Sequence, residues 1–355
     1  MNYQLNLTWM IFKKQKRILV VRTDRVGDTT YITPAVRELK KAIPDSFIAT
    51  LTQPHTSKIF INNPYVDVIL TDDLKKENFW KVVKEIRKYK FTHALLMFPT
   101  ERAAYQLFFA GIPYRVGVGH ILYEVITFMR SVSRNNYNPI RHEADYCLDL
   151  VRKLGVKTNN YKLEIFLSEE EIREAIDFLK NKGIFEEDKK IFIHTGSLGS
   201  GPNWSESKYF SLTKKLLDIL KDASIKFIFT AREMSKSFID EIKKLDPNRI
   251  HIIAEEIDDL RMMIKVISQA DVFLASSTGP LHIADALNKK CIGIFCRRKV
   301  SSAKHHGVIN EHSINIEVSE ENCKKYCSAD QNNCGIEKGL SEEEVINSIL
   351  KLLNQ

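Results

Sequence analysis

Cysteine is scarce in this chain, and a long hydrophobic run is absent. Six cysteines among 355 residues are too few for the disulfide framework of a small secreted domain, so we expect a reducing cytoplasm. No apolar run approaches the roughly 18 residues that a membrane-spanning helix needs. A hydrophobic share of 44% with 28% charged residues excludes an intrinsically disordered chain. The remaining class is a folded protein, long enough for about two domains.

Positive charge is concentrated in the first half of the chain. Residues 1–160 contain 25 Lys and Arg against 14 Asp and Glu, a net charge of +11, whereas the remainder has 28 against 31 and a net charge of −3. A basic half favours a phosphorylated partner or an anionic membrane surface. Lysine-rich faces that only meet solvent are the alternative.

The first residues combine an apolar segment with a basic one. Leu5–Phe12 is mostly apolar, and Lys13–Arg17 contains four cations. A secretory signal has its charge before its apolar stretch, so this order does not predict one. We expect the segment to hold the protein at an anionic membrane surface. A packed or disordered extension is the alternative.

Strand-like and helix-like segments alternate along both halves of the chain, which predicts two doubly wound α/β domains. A helix is predicted from Asp28 to Ile43, and a capping box predicts another after Ser168. The final segment, Ser341–Leu353, is a further capped amphipathic helix. Short apolar, β-branched runs predict strands at residues 17–22, 47–51, 66–70, 93–98, 191–194, 225–229, 250–253, 272–275 and 291–295.

The first loop whose residues could bind a ligand or take part in catalysis follows the first predicted strand. It runs from Arg22 to Thr30 and contains Gly27 and Asp28. Gly27 permits a tight turn and the close approach of a ligand to the backbone. We expect Asp28 at the helix N-terminus, where the helix dipole would lower the pKa of its carboxyl group. A simple capping role is the alternative.

Two later loops have the composition of anion sites. His194–Trp204 contains three glycines, whose exposed N–H groups suit a phosphate, although a flexible loop is the alternative. This loop matches neither a Walker loop nor a dinucleotide fingerprint. Ala275–Ala286 places Ser277, Thr278 and Gly279 at a helix start, and His282 is either a further donor or a structural histidine.

The three loops, in this order and at this separation, resemble those of the ADP-heptose:lipopolysaccharide heptosyltransferases, glycosyltransferase family nine. The most specific parts are Arg22–Asp28, the following Thr33–Ala35, and Ser277–Leu287. The resemblance runs from about Arg17 to the final helix. It implies the GT-B architecture, in which two Rossmann-like domains face each other across a cleft. The acceptor-binding domain would comprise residues 1–165 and the nucleotide-sugar domain residues 166–335, with a final helix at 336–355 packing back on the first domain.

The resemblance also implies roles for individual residues. Asp28 would be the catalytic base, and Arg22 and Arg25 would bind the acceptor. Glu233 would hold the ribose of the donor, and Ile257 would pack on its adenine. The other residues expected to bind the donor are Gly27, Gly196, Ser197, Ser277, Thr278, Gly279 and His282.

Two positions depart from the family pattern. Pro202 stands where the family usually has a lysine, two residues before Trp204, and Ser277 stands where it usually has an aspartate. The lysine would stabilise the leaving diphosphate, and Lys208 or Arg232 is the candidate substitute.

The function that the resemblance implies is an inverting transfer of a heptose, or a related sugar, from an ADP-sugar to a lipopolysaccharide core acceptor. A base must take the proton of the acceptor hydroxyl, and positive potential must stabilise the departing diphosphate. We expect no metal, no other cofactor and no nucleic acid partner. We expect a cytoplasmic protein at the inner-membrane surface. A non-catalytic sugar-nucleotide or glycan-binding relative, or a GT-B enzyme with another nucleotide-sugar, is the alternative.

A cluster of cysteines near the C-terminus leaves its role open. Cys323, Cys327 and Cys334 follow three histidines, at positions 305, 306 and 312. A structural zinc site is conceivable from these residue types, but a Cys-x2-Cys pair is absent. Redox pairing is the other possibility.

Overall fold

The computed structural model describes residues 15–119, 121–197, 199, 201–327 and 334–354, without the side chain of Asn136. These residues form two six-stranded parallel sheets flanked by helices. The first sheet has the strand order β3-β2-β1-β4-β5-β6 and the second β12-β11-β10-β7-β8-β9. The strands are β1 Arg17–Val21, β2 Phe47–Thr52, β3 Val68–Thr71, β4 His93–Leu96, β5 Tyr114–Gly117, β6 Arg130–Ser131, β7 Lys189–His194, β8 Ile225–Phe229, β9 Ile250–Ile252, β10 Val272–Ser276, β11 Lys290–Phe295 and β12 Ile314–Glu317.

The helices complete the alternation. They are α1 Val26–Thr30, α2 Thr33–Ala42, α3 Phe79–Lys88, α4 Glu101–Phe109, α5 Leu122–Ile126, α6 Glu143–Arg152, α7 Glu169–Lys180, α8 Glu206–Ile219, α9 Lys236–Leu245, α10 Leu260–Ile267, α11 Gly279–Ala286, α12 Ala303–His306, α13 Glu320–Tyr326, α14 Ile336–Gly339 and α15 Glu342–Leu353. None of the helices in the described ranges is both long enough and apolar enough to span a bilayer.

The two sheets have the same topology. Read from its third strand, each has the order 3-2-1-4-5-6, so its first and fourth strands are neighbours at the point where the order reverses. Ligands of such sheets bind at the carboxyl ends of the strands near this reversal. The loop after β1 and the loops after β7 and β10 therefore lie where a ligand is expected.

The central strands are those that the sequence predicted. Ile18–Val21 is completely buried, as expected for a parallel strand that is covered by helices on both faces. Three strands lack a predicted counterpart: β5, β6 and β12. All three lie at the end of their sheet that is formed by its fifth and sixth strands. Of these, β6 contains only Arg130 and Ser131. A strand this short and polar has no apolar run by which it could be recognised.

The first helix also differs from its prediction. It begins at Val26 rather than Asp28, and the chain breaks at Tyr31 and Ile32 before α2 begins at Thr33. Arg25 is therefore the N-cap, and Asp28 lies inside the first turn.

The final helix corrects a second expectation. Instead of packing back on the first domain, α15 packs on α8 and on β10, β11 and β12 of the second sheet. Its buried side chains, Val345, Ile349 and Leu352, belong to the same hydrophobic core as Leu274 on β10. The apolar stripe of α15 is thus satisfied within the unit that directly precedes it in the chain.

Candidate active site between the two sheets

The three loops that the sequence singled out meet in the structure. A Cβ atom added at Gly27 would lie 2.8 Å from Cδ2 of His282, and one added at Gly279 would lie 3.0 Å from Cβ of Val26. One added at Gly201 would lie 3.4 Å from the carbonyl oxygen of Ser277. The start of α11 therefore contacts both the loop after β1 and the glycine loop after β7.

The contact between α1 and α11 depends on the glycine at position 27. Because glycine has no side chain, the imidazole of His282 fits against the backbone at position 27. The group that approaches this backbone closely is therefore a side chain of α11, where the sequence predicted a ligand. A donor-binding role for Gly27 and Gly279 stays a prediction.

Asp28 lies at this junction with its carboxylate partly open to solvent. The side chain is 27% exposed, and Oδ1 accepts a hydrogen bond of 2.9 Å from Nη2 of Arg22. Burial raises the pKa of Asp28 to about 6, although the charge of Arg22 acts in the opposite direction. The expectation of a pKa lowered by the helix dipole is therefore wrong, because desolvation and two neighbouring carboxylates outweigh the favourable charges. A carboxyl group with this pKa is a stronger base than an ordinary aspartate.

Arg22 lies beneath Asp28 and not in the open cleft. Its side chain is 2% exposed, and its guanidinium donates to the carboxylates of Asp24, Asp28 and Glu143 at 2.9 to 3.0 Å. The prediction that Arg22 binds the acceptor does not fit this burial, since the carboxylates already occupy its donors. Arg22 positions Asp28. Arg25 is exposed beside the site, where it remains a predicted acceptor-binding cation.

Glu143 anchors this network from α6, and sequence reasoning missed it. Its carboxylate accepts hydrogen bonds from Arg22 at 2.9 Å and from Arg134 at 3.0 Å. Burial opposes the ionisation of Glu143, but the charges of Arg22 and Arg134 outweigh burial and lower its pKa. Because 121 residues separate Glu143 from Arg22, their spacing provided no local signal.

Tyr31 is the centre of a buried ring cluster that joins the two sheets. Its hydroxyl oxygen lies 2.8 Å from Nε2 of His282 and 3.0 Å from Nδ1 of His306. The ring of His142 meets Tyr31 edge-on. Burial lowers the pKa of His142 to about 4 and that of His282 to about 3, and it also lowers the pKa of His306. All three imidazoles are therefore neutral near pH 7, and His282 is a hydrogen-bonded histidine at the interface.

A cavity of about 240 Å³ opens where the glycine loop meets the end of β8. It brings together three residues that were predicted to bind the donor, Gly196, Ser197 and Glu233. A side chain at position 196 would overlap the carboxylate of Glu233. The full lining is Thr195, Gly196, Ser197, Asn203, Glu206, Glu233 and Met234.

The start of α11 offers a second polar surface. Thr278 is its N-cap residue and is 3% exposed, and Ser277 is 9% exposed. Within the described residues, the hydroxyl of Thr278 has no hydrogen-bond partner. A buried hydroxyl of this kind beside a helix N-terminus fits an anionic group.

Neither candidate substitute for the missing lysine is free to fulfil that role. Nζ of Lys208 donates to the carbonyl oxygens of Glu337 and Leu340, and the ammonium lies 4.5 Å from the ring of Trp204. The guanidinium of Arg232 donates to the carbonyl oxygen of Ile257. Both cations hold the fold together at these positions.

Ile257 is a predicted site residue whose side chain the structure buries. Its side chain is 1% exposed and belongs to the hydrophobic core. This burial does not fit the prediction that the side chain packs on adenine, because core packing already covers it.

The C-terminal cysteines contact one another. The sulfur atoms of Cys323 and Cys327 lie 3.4 Å apart, and Cys296 hydrogen-bonds Cys334. Nδ1 of His305 instead donates a hydrogen bond of 2.9 Å to the carbonyl oxygen of Arg141. In the described parts of the chain, no group of three or more His, Cys, Asp and Glu side chains is arranged to hold a metal ion.

Comparisons with known proteins agree with this arrangement. The family model described as glycosyltransferase family 9 (heptosyltransferase) matches residues 79–335, more than half of the chain. A Haemophilus influenzae protein that carries the provisional name of a glycosyltransferase is 28% identical over 304 residues, which are 83% of this chain and 87% of that protein.

Two solved structures share the whole fold. A family 9 glycosyl transferase from Veillonella parvula superposes with a TM-score of 0.79 at 20% identity, covering 96% of this chain and 97% of that one. The ADP-heptose lps heptosyltransferase II of E. coli gives 0.75 at 17% identity, covering 96% and 99%. The prediction of a GT-B architecture with two facing α/β units is therefore confirmed.

Proposed function

The chain belongs to glycosyltransferase family 9, and from this premise we propose that it moves a heptose, or a related sugar, from an ADP-sugar to a lipopolysaccharide core acceptor with inversion at the anomeric carbon. The observation that carries the proposal is Asp28. It is a partly exposed carboxylate with a raised pKa at the place where the two sheets meet.

Asp28 is the general base of the proposed reaction. Arg22 fixes Oδ1, and the other oxygen, Oδ2, accepts no hydrogen bond from the described residues. Oδ2 is therefore available for the proton of an acceptor hydroxyl. As that proton transfers, the hydroxyl oxygen attacks the anomeric carbon and the bond to the nucleoside diphosphate breaks. The exposed cation Arg25 is suited to a phosphate or carboxylate of the acceptor.

The donor is proposed to span the cavity beside Glu233 and the start of α11. Glu233 would accept hydrogen bonds from the ribose hydroxyls, while Gly196 and Ser197 present small, polar surfaces to the diphosphate. The hydroxyl of Thr278 and the N-terminus of α11 would stabilise negative charge as the diphosphate leaves. This arrangement relies on neutral hydrogen-bond donors where the family usually has a lysine.

We place the protein in the cytoplasm at the inner-membrane surface. The support is the net charge of +11 on residues 1–160, which suits an acceptor and a membrane that are both anionic. The apolar and basic segment Leu5–Phe12 and Lys13–Arg17 was predicted to contribute, and most of it lies outside the described residues.

A thermal-shift titration with ADP, UDP, GDP and ADP-heptose tests the donor. A ligand at about 100 Kd that binds only the native state adds about 2.7 kcal/mol to the unfolding free energy. We expect ADP and ADP-heptose to raise the melting temperature and UDP and GDP to leave it unchanged. A response to UDP or GDP alone would mean that the donor is a UDP-sugar or a GDP-sugar. No response to any of the four ligands would favour the alternative that the protein is a non-catalytic relative.

The cavity provides a matched pair of variants for the same titration. Glu233→Gln removes the proposed acceptor for the ribose hydroxyls and should weaken ADP binding by about tenfold, or about 1.4 kcal/mol. Glu320→Gln, an exposed carboxylate on α13, should leave the ADP response unchanged. Equal responses from both variants would remove Glu233 from the donor site.

A further inference from the structure

Helix α5 has its polarity reversed relative to an ordinary surface helix. It exposes Leu122 at 73%, Val125 at 60% and Ile126 at 49%, and Phe128 just beyond it at 78%. Glu124, in the same helix, is 1% exposed. A helix at the surface of a globular protein normally buries its apolar face and leaves its polar face to water. Here the apolar side chains project outward, next to one another within seven residues.

Polar contacts hold this segment in place. Oε2 of Glu124 accepts a hydrogen bond of 3.2 Å from the N–H of Gly119, and Arg115 donates to the carbonyl oxygen of Thr127 at 2.5 Å. Phe128 adopts a left-handed backbone conformation with φ of 53°, which is unfavourable for a bulky residue. The fold thus anchors the segment through Glu124 and Arg115, and Tyr123 and Met129 pack on the hydrophobic core of the first sheet. The other apolar side chains of the segment remain open to solvent.

The apolar surface continues onto the neighbouring helices. Phe108 and Phe109, at the end of α4, are 37% and 38% exposed, and Trp80 on α3 is 54% exposed with its ring 5.1 Å from that of Phe109. Helix α4 packs against both α3 and α5. We call the exposed residues Trp80, Phe108, Phe109, Ile121, Leu122, Val125, Ile126 and Phe128 the apolar face.

Cations border the apolar face. Helix α3 contains four of them, Lys81, Lys84, Arg87 and Lys88, against a single acidic residue, Glu85, and all four cations are exposed. Arg130, directly after the α5 segment, is exposed as well. Aliphatic residues flanked by aromatic rings and bordered by Lys and Arg are the composition of a surface that lies in the interface of an anionic bilayer.

From these contacts we propose that the apolar face docks on an anionic lipid bilayer, with α5 and Phe128 entering the boundary between headgroups and acyl chains. A second copy of the chain fits less well, because a symmetric contact through this face would bring the cations of one α3 close to those of the other. An anionic lipid surface instead complements them.

Docking through α5 would bring the bilayer close to Asp28, and this step of the inference rests on the proposed function. Helix α5 follows the carboxyl end of β5, which is two strands from β1 in the same parallel sheet. Neighbouring strands are about 4.8 Å apart, so the ends of β1 and β5 are separated by about 10 Å along the sheet edge that also holds Asp28. A lipid-anchored acceptor in the docked bilayer would lie near the base.

The test is flotation of the full chain with vesicles of phosphatidylethanolamine and phosphatidylglycerol at 3:1, compared with vesicles of phosphatidylcholine alone. We expect wild type to float with the anionic vesicles, less so as salt is raised. The double variant L122Q/F128N should bind about tenfold or more weakly. The control F185N/I219Q removes two comparably exposed apolar side chains, at 45% and 50%, from the second α/β unit and should bind like wild type.

Two further measurements separate the possible outcomes. Thermal shift with ADP checks that each variant keeps its fold and its proposed donor site, so loss of vesicle binding with an intact ADP response supports the docking by itself. Light scattering after gel filtration reports the oligomeric state. The proposal is overturned if L122Q/F128N binds vesicles as well as wild type does. It is also overturned if wild type is a dimer and L122Q/F128N is a monomer that still binds vesicles.

Discussion

Asp28 acquires its character from a balance between desolvation and one guanidinium. Burial raises its pKa to about 6, Arg22 opposes that rise, and Asp24 and Glu143 support it. Because the proposed general base must be ionised, kcat/KM should rise as the pH increases through about 6 and level off above it. An ordinary aspartate, with a pKa near 4, would be fully ionised over that range.

Removal of the Glu143 charge should move this ionisation. In Glu143→Gln a negative charge near Asp28 is lost and Arg22 is less neutralised, so both effects lower the pKa of Asp28. The acid limb of the kcat/KM profile should therefore shift to lower pH by about one unit, as a full pH profile would show. Glu85→Gln, a partly exposed carboxylate on α3 that pairs with Lys88, is the control. An acid limb that stays in place or moves to higher pH would contradict the role given to Glu143.

The motif at residues 22–28 could be recognised from sequence as a site, but its electrostatics could not be predicted. The sequence places Asp28 after a strand and beside a helix start, which by itself predicts a lowered pKa. The opposing effect depends on the burial of Arg22 and on Glu143, which reaches the network only after the chain has crossed five further strands. A local pattern does not contain that information.

At the scale of elements, the contact between α1 and α11 depends on Gly27. In Gly27→Ala the new methyl group would lie 2.8 Å from a carbon of the His282 ring, so the two helices must move apart. We expect the unfolding free energy to fall by about 1–3 kcal/mol in urea denaturation, with turnover reduced as well.

Gly119→Ala is the matched control for this substitution. Its Cβ atom would have Cγ1 of Ile121 as its nearest neighbour, at 3.7 Å, which is an ordinary van der Waals contact. Its unfolding free energy should change by less than about 0.5 kcal/mol. Equal losses in the two variants would mean that the close contact at position 27 has no special weight.

Elements were predictable from sequence where burial imposed a strong pattern. The central strands are continuous apolar runs, and the capping box predicted at Ser168 correctly marks the start of α7. Partners of elements were harder to predict. The apolar stripe of α15 must be buried against a hydrophobic core. The sequence does not specify that β10 and β11, rather than the first sheet, provide that core.

At the scale of the whole molecule, Tyr31 connects the two α/β units through one hydroxyl. A neutral tyrosine hydroxyl donates one hydrogen bond and accepts others, which satisfies both His282 and His306. In Tyr31→Phe a buried nitrogen of His282 and a partly buried nitrogen of His306 lose this partner. We expect a loss of about 1–3 kcal/mol in urea unfolding.

The control for Tyr31→Phe is Tyr105→Phe, on helix α4, where the ring stacks on Phe109 at the surface. Its stability should match that of wild type. If Tyr31→Phe is as stable as wild type, the hydroxyl does not couple the two units, and the ring contacts alone hold the cluster together.

Whether Asp28 takes a proton in a sugar transfer is tested most directly by the turnover of Asp28→Asn, measured beside the affinity of this variant for ADP. Formation of glycosylated acceptor and release of ADP would be followed with ADP-heptose and a lipopolysaccharide core fragment, and ADP binding by calorimetry. We predict that kcat falls by at least about a hundredfold while the Kd for ADP stays within about twofold. The variant should unfold at no lower temperature than wild type, since ionisation of Asp28 costs free energy in the fold. Turnover by Asp28→Asn at the wild-type rate would contradict the account.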